Sequence, residues 1–245
     1  MALWVCGYPD QAIRSTDAAI ALAESMGHAP SVAHALLFAS RCHLFCRDAL
    51  RVLGMTDRLI TLASEHRLML YHAVGGIAHG WARAHQGQLD KGLAELRRNL
   101  EGYDSDKPKA YSMSSRMALA EIYLKAGEDV QALNAVDSAL RAGERSGSRT
   151  WLAAALHIKG KALASMASER WPDAEACFME ALEVARTQQA KSLELRAATG
   201  LARLWCIEGR REAARDLLAP VYRWFTEGFD TPDLKDAKAL LAELA

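Results

Sequence analysis

AKSLELRAATGLARLWCIEGRREAARDLLAPVYRWFTEGFDTPDLKDAKALLAEL, residues 190–244, is the stretch that decides the fold. It reads as one long helix, a glycine turn at Gly209, a second helix and a short closing helix. Gly209 suits a helix end because glycine reaches the left-handed conformation without a Cβ clash. Pro220 lies inside the second helix, where it removes a backbone donor and is expected to kink it. Thr231-Pro232 opens the last helix, with proline in the first turn, where a missing N–H costs nothing.

The same two-helix plan recurs upstream. Small or apolar residues stand at Ala12, Val52, Gly92, Ala132, Ala174 and Ala214, in steps of 40, 40, 40, 42 and 40 residues. Five residues before each stand Gly7, Arg47, Gly87, Gly127, Glu169 and Gly209. Seven residues after each stand Ala19, Leu59, Asn99, Ala139, Ala181 and Val221. Agreement at three offsets marks an internal repeat, and a small residue at the crossing lets two helix backbones approach closely. The clearest unit carries Leu119, Ala120 and Tyr123, then Gly127, then Ala132, Val136, Ala139 and Leu140. That spacing matches the tetratricopeptide pattern, stretched from the usual period to one near 40 residues.

The expected fold is therefore all-α: a right-handed α-solenoid of tetratricopeptide-like helical hairpins with a period near 40 residues, capped by a C-terminal helix. Residues 1–245 form a single repeat domain. Its units are 1–27 (incomplete), 31–65, 68–102, 111–143, 151–185 and 187–226, with the cap at 231–244. Gly75, Gly76 and Gly80 predict close packing or a bend in the third unit. The stretch 102–110 (GYDSDKPKA) is the most loop-like and a candidate flexible link. An enlarged turn is expected at 165–172. In the cap, Asp233, Lys235, Asp236 and Lys238 supply a polar outer face. At the other end the first helix is mostly missing, so Leu3, Trp4 and Ile13 are expected to be exposed. That predicts an upstream domain, a partner or self-association covering the N-terminal end.

Composition agrees with a helical array. Hydrophobic residues make up 51% of 245, enough for a continuous core, and only 6 prolines and 7% aromatics favour helix over strand. Lys+Arg and Asp+Glu are 30 each, without the basic excess of a general nucleic-acid binder. No apolar run approaches the roughly 20 residues that span a bilayer. Five cysteines without framework spacing read as reduced thiols, which places the chain in the cytoplasm.

Catalytic motifs are missing. There is no G-x-x-x-x-G-K-[ST] phosphate loop; Gly160-Lys161-Ala162 lacks the hydroxyl residue and the upstream glycine. H-E-x-x-H, G-x-S-x-G and paired C-x-x-C are likewise absent. Cys42, His43 and Cys46 are the nearest approach to a ligand cluster, but two further ligands would be needed. We read them as core or surface thiols, expect no metal and no cofactor, and expect a chain that is not an enzyme. An enzyme would require Cys42 and the histidines His66, His72, His79 and His85 to converge.

Several phrases resemble a known family: AEACFMEALEVAR (174–186), QQAKSLELRAATGLARLW (188–205), EAARDLLAPVY (212–222) and WFTEGFDTPDLKDAKALL (224–241). GYPDQA (7–12), GWARAHQGQ (80–88) and YLKAGEDVQAL (123–133) are similar to the same region. All look like the C-terminal tetratricopeptide-like region of large bacterial predicted-ATPase proteins, in which a cyclase catalytic domain or a transcriptional-activator domain often lies further upstream. The resemblance implies a sensor or scaffold role that regulates attached modules. The ATPase and cyclase chemistry is not implied, because its motifs are absent from this chain.

In the tetratricopeptide register the concave face is lined at Arg41, Trp81, Glu121, Lys161 and Arg203, with His34, His157, Arg196 and Thr199 beside them. Such a face is mildly basic and is expected to bind an acidic or carboxylate-bearing protein or peptide segment, with arginine giving bidentate contacts. The alternatives are a small-molecule pocket between units near Gly75, Gly76 and Trp81, or a free-standing adaptor.

Overall fold

The computed structural model describes residues 1–104 and 110–245. The link expected at 102–110 lies largely outside the described residues. Among them the structure is helical throughout: α1 (Ala2–Val5), α2 (Pro9–Ser25), α3 (Ala29–Phe45), α4 (Ala49–Glu65), α5 (Met69–His85), α6 (Leu89–Asp104), α7 (Ser112–Ala126), α8 (Asp129–Ser146), α9 (Leu152–Ala164), α10 (Trp171–Thr187), α11 (Lys191–Ile207), α12 (Arg211–Arg223) and α13 (Pro232–Glu243). Successive pairs form antiparallel hairpins. α12 continues through Pro220. Where the enlarged turn is expected, a single 3-10 turn, Ser168–Arg170, precedes α10.

One local device ends helix after helix. The residue after the last turn takes a left-handed conformation, and the next N–H reaches back five residues. Tyr8 thus donates to the Leu3 carbonyl, Asp48 to His43, Glu128 to Tyr123 and Arg210 to Trp205. The left-handed residue is Gly7, Gly87, Gly127, Gly147 or Gly209 at most ends. At three ends it is Arg47, Arg67 or Gln189, with φ of 59°, 55° and 54°. A side chain there costs about 1–2 kcal/mol relative to glycine. Prolines sit in the first turns of α2, α3, α10 and α13. At α4 the Asp48 carboxylate accepts the Arg51 N–H at 3.1 Å, capping an orphan donor.

The repeat register of the sequence is the packing register of the fold. Ala12, Val52, Gly92, Ala132, Ala174 and Ala214 are all buried. The α5–α6 hairpin is the tightest. A Cβ at Gly80 would stand 2.7 Å from the Gly92 carbonyl oxygen, and one at Gly92 would stand 2.4 Å from that of Gly80. Asn99, a polar residue at an otherwise apolar repeat position, fills the space that Gly76 leaves. The first helices of successive hairpins, α3, α5, α7, α9 and α11, touch one another in turn and form the inner layer. The second helices lie outside.

The array curls until its beginning meets its end. α1 packs on α11. The Ser192 hydroxyl donates to the Trp4 carbonyl at 2.5 Å. The Gln11 side-chain amide donates to Glu227 at 2.9 Å, and the Gly228 N–H to Asp10 at 3.1 Å. Trp4 is only 2% exposed, tilted against Phe45 at 5.0 Å and covered by the Arg196 guanidinium 4.9 Å from its ring. This corrects the expectation of an uncovered Trp4: the chain's own last hairpin supplies the cover. Leu3 is exposed and Ile13 half-buried. The largest apolar side chain at this end is therefore not free for self-association.

The cap helix also differs from expectation. Asp233 and Asp236 do not form an outer polar face. They turn inward, Asp233 to Arg196 at 2.8 Å and Asp236 to Arg47 at 2.8 Å. These acids neutralise cations that the curvature brings beneath α13. No helix among the described residues is long and apolar enough to cross a membrane.

Candidate functional site

Closure divides the expected concave face into three parts. Arg41, Trp81 and Glu121 are locked by the chain itself. The Trp81 indole N–H donates to Glu121 at 2.8 Å, and the ring is 1% exposed. The Arg41 guanidinium donates to the Ser114 hydroxyl at 3.2 Å and lies 4.8 Å over the Tyr111 ring. Tyr111 in turn sits one residue before α7, so the inner layer is filled rather than open. His34 lies elsewhere, in an apolar groove between α2 and α3, with its ring 4.7 Å from Phe38 and its Nδ1 3.4 Å from the Tyr71 hydroxyl.

The remaining five, His157, Lys161, Arg196, Thr199 and Arg203, come together. They line a cavity of about 370 Å³ where α9 and α11 face α13. His157 and Lys161 lie four apart on α9; Arg196, Thr199 and Arg203 follow one another along α11, so helical spacing alone brings each set to one side. Phe178 of α10 forms part of the wall. Its ring fits between Gly160 and Gly200, where added Cβ atoms would stand 2.7 Å and 2.6 Å from it. Those two glycines let α9, α10 and α11 converge.

Arg47, Asp233 and Asp236 also line the cavity. Four cations therefore meet two carboxylates, and behind them a smaller void of about 60 Å³ reaches Glu121. Arg196 is fully committed. Its guanidinium donates to Asp233 at 2.8 Å and to the Phe45 carbonyl, besides covering Trp4. Arg47 bridges Asp233 and Asp236 at 3.4 Å and 2.8 Å. The Thr199 hydroxyl donates to the Leu195 carbonyl. No ion pair to Lys161 or Arg203 is present among the described residues. Lys161 is wetted by the cavity but enclosed by protein, and this desolvation lowers its pKa against the pull of the Glu121 carboxylate, with Arg47, Arg196 and Arg203 adding to the lowering. Burial holds the His157 pKa well below the usual range, aided by Lys161, Arg196 and Arg47, so the ring is neutral. Its Nδ1 is buried without a hydrogen-bond partner.

Two other expectations meet the geometry. The space expected to form a small-molecule pocket near Gly75, Gly76 and Trp81 is narrow among the described residues. Leu59 and Asn99 occupy that space, and the nearby void, bounded by Val74, Ile77 and Ala78, holds only about 30 Å³, room for a water. Cys42 and Cys46 are buried core thiols. A hydrogen bond between them, with burial, raises the Cys46 pKa. His43 is buried beside them with Asp48 at 3.6 Å, beyond hydrogen-bond reach. No group of three or more metal-binding side chains occurs among the described residues.

Arg47, Asp233 and Asp236 are the charged lining residues that sequence reasoning missed. Arg47 carried a signal: it stands where four of the six units place glycine. Its backbone accepts left-handed strain while its side chain reaches across to α13. Nothing local marked the two aspartates.

No family model matches the chain. An uncharacterized protein of Rhizobium meliloti (strain 1021) is 27% identical over 215 residues, covering 86% of this chain and 20% of that protein. The chain thus spans about a fifth of the length of the curated relative it matches. Among solved structures, BtubC (BKLC) from P. vanneervenii is similar with a TM-score of 0.59 at 13% identity, over 96% of this chain and 89% of that one. A Podosopora anserina kinesin light chain with nearly identical TPR-like repeats gives 0.56 at 14%, over 79% and 94%. Yeast Tom70 gives 0.52 at 12%, over 96% and 60%. At these identities the likeness establishes the fold, a tetratricopeptide-like solenoid of helical hairpins.

Proposed function

We propose that the chain is a non-catalytic protein-interaction and regulatory module, the C-terminal sensor or scaffold part of a multidomain bacterial signalling ATPase or nucleotide cyclase. It works in the cytoplasm, without a cofactor. The observation that carries the proposal is the basic cavity at the seam, where Lys161 and Arg203 stand without an ion-pair partner among the described residues. A solenoid that binds through its inner layer offers its partner this site first. The much longer relative supports a place within a larger protein, and the resemblance of residues 174–241 to the repeat region of predicted-ATPase proteins supports the signalling context.

In this reading the partner presents an acidic group to the cavity, and occupancy alters how the cap and the first hairpin hold together. Upstream modules would sense that change. Chemical cross-linking of the protein in its native host, followed by mass spectrometry, identifies the partner and any covalently attached upstream module. Affinity is then compared between the wild type and a Lys161→Glu/Arg203→Glu variant. We expect loss of binding. A partner held equally well by both would remove the cavity from the interaction surface.

A further inference from the structure

We propose that the seam cavity is a receptor for a small anion of carboxylate or phosphate chemistry, the size of a metabolite rather than an extended peptide. The inference rests on the reading of this cavity as the binding site and names its ligand class.

Size is the first ground. An extended peptide needs a continuous groove along the inner layer, and Arg41, Trp81 and Glu121 close that path with their own contacts. What remains open is about 370 Å³, within the range of small-molecule sites at roughly 300–1,000 Å³.

Charge is the second ground. Asp233 and Asp236 already satisfy Arg47 and Arg196. Lys161 and Arg203 are left over, one from α9 and one from α11, and both line the cavity with Thr199 and Phe178. A chain whose acidic and basic residues balance 30 to 30 has gathered unmatched cations inside a concave wall. Low-dielectric walls strengthen their pull on an anion.

Unsatisfied chemistry is the third ground. The His157 Nδ1 is buried without a partner, and an orphaned polar atom in a native fold calls for an explanation. An anion in the cavity supplies one, because it favours the protonated ring, which donates from both nitrogens. The groups facing His157 are Lys161 on its own helix, Arg196 from α11, Arg47 before α4, Asp233 from α13 and Glu121 from α7. Three of these five are cations that hold the ring neutral in the empty state. Binding an anion offsets them and draws a proton onto His157.

The test uses titration calorimetry on the chain with succinate and inorganic phosphate as probes, and acetate at matched ionic strength as control. We expect saturable binding of one probe with Kd of about 1 mM or tighter. Preference for succinate or for phosphate identifies the natural chemistry. Lys161→Met and Arg203→Met should each weaken binding by about tenfold. Both side chains reach the cavity water rather than the packed core, and an unchanged helical circular-dichroism spectrum shows that the variants fold. Succinate binding should tighten from pH 8 to pH 6 with proton uptake, and His157→Gln should flatten that dependence. Absence of saturable binding by both probes, or equal binding by the double methionine variant, overturns the inference. The two readings fail separately. If the probes do not bind but the charge-reversed variant still loses its protein partner, the anion receptor falls and the interaction module stands. If the probes bind while that partner is held unchanged, the reverse holds.

Discussion

The α5–α6 hairpin and the seam between α1, α11 and α13 solve the same problem by opposite means. In the hairpin two backbones touch, with Gly80 against Gly92 and no side chain between them. In the seam large side chains do the joining: Trp4 lies between Phe45 and Arg196, and the Arg196 guanidinium ties α11 to α3 and α13. The hairpin is tight, short in sequence and built from absent atoms. The seam is polar at its inner edge, spans the chain and encloses a cavity. The contrast teaches where function has room. A glycine contact leaves no space for a ligand, whereas a joint made of arginines and aspartates leaves both space and charge.

The seam is most sensitive at Trp4. Trp4→Ala removes a fully buried indole and is expected to cost about 3–5 kcal/mol. Hydrogen exchange should speed up in α1, α11 and α13 while α5–α6 stays protected. Equal loss of protection in both regions would show that they are one cooperative unit. Gly80→Ala tests the other side. Its Cβ meets the Gly92 oxygen and the Leu96 nitrogen, and overpacking of this kind costs about 1–3 kcal/mol by chemical denaturation. The seam cavity should keep its ligand affinity in this variant.

A smaller and graded effect follows pH. Burial lowers the pKa values of His43, His85 and His157, so these rings stay neutral in the fold where the unfolded chain protonates. The stability they contribute is present above the ordinary histidine value of about 6.5 and is lost as pH falls below it. Thermal melts between about pH 8 and pH 5 should show this decline, and His157→Gln should reduce it. The least change in stability is expected from Arg47→Gly. Relief of left-handed strain, about 1 kcal/mol, offsets the lost contacts: the exposed pair with Asp236 is worth about 1 kcal/mol or less, and the less exposed Asp233 keeps its bond to Arg196. The melting temperature should hardly move, yet exchange at the start of α13 should quicken.

The hairpins were legible because their determinants are local. Gly127 and Tyr123 are four residues apart, and the left-handed turn they share with Glu128 can be read from a single window. The buried positions Ala132, Ala174 and Ala214 repeat for the same reason. The seam was not legible, because its partners share no window. Ser192 meets Trp4 across 188 residues, and Gly228 meets Asp10 across 218. Curvature, the sum of many small rotations between hairpins, decides whether such residues meet. No single residue encodes it. Hence five of the nine inner-face residues converge on one cavity, while Trp81 and Arg41 face their own neighbours. Hence also Asp233, placed on the outer face of a cap by sequence, lies inside.

A linear solenoid can fray one hairpin at a time from either end, since each unit depends only on its neighbours. A solenoid joined to itself behaves differently. Bringing Trp4 to Ser192 carries a loop-closure entropy that grows with the logarithm of the chain between them, so the joint can form only after the intervening hairpins have shortened that path. The cavity takes most of its wall from α9, α10, α11 and α13, and Arg47 is the part that arrives from the first half of the chain. A ligand that binds the cavity selects completed molecules over partly assembled ones, and by mass action slows their disassembly from every point at once.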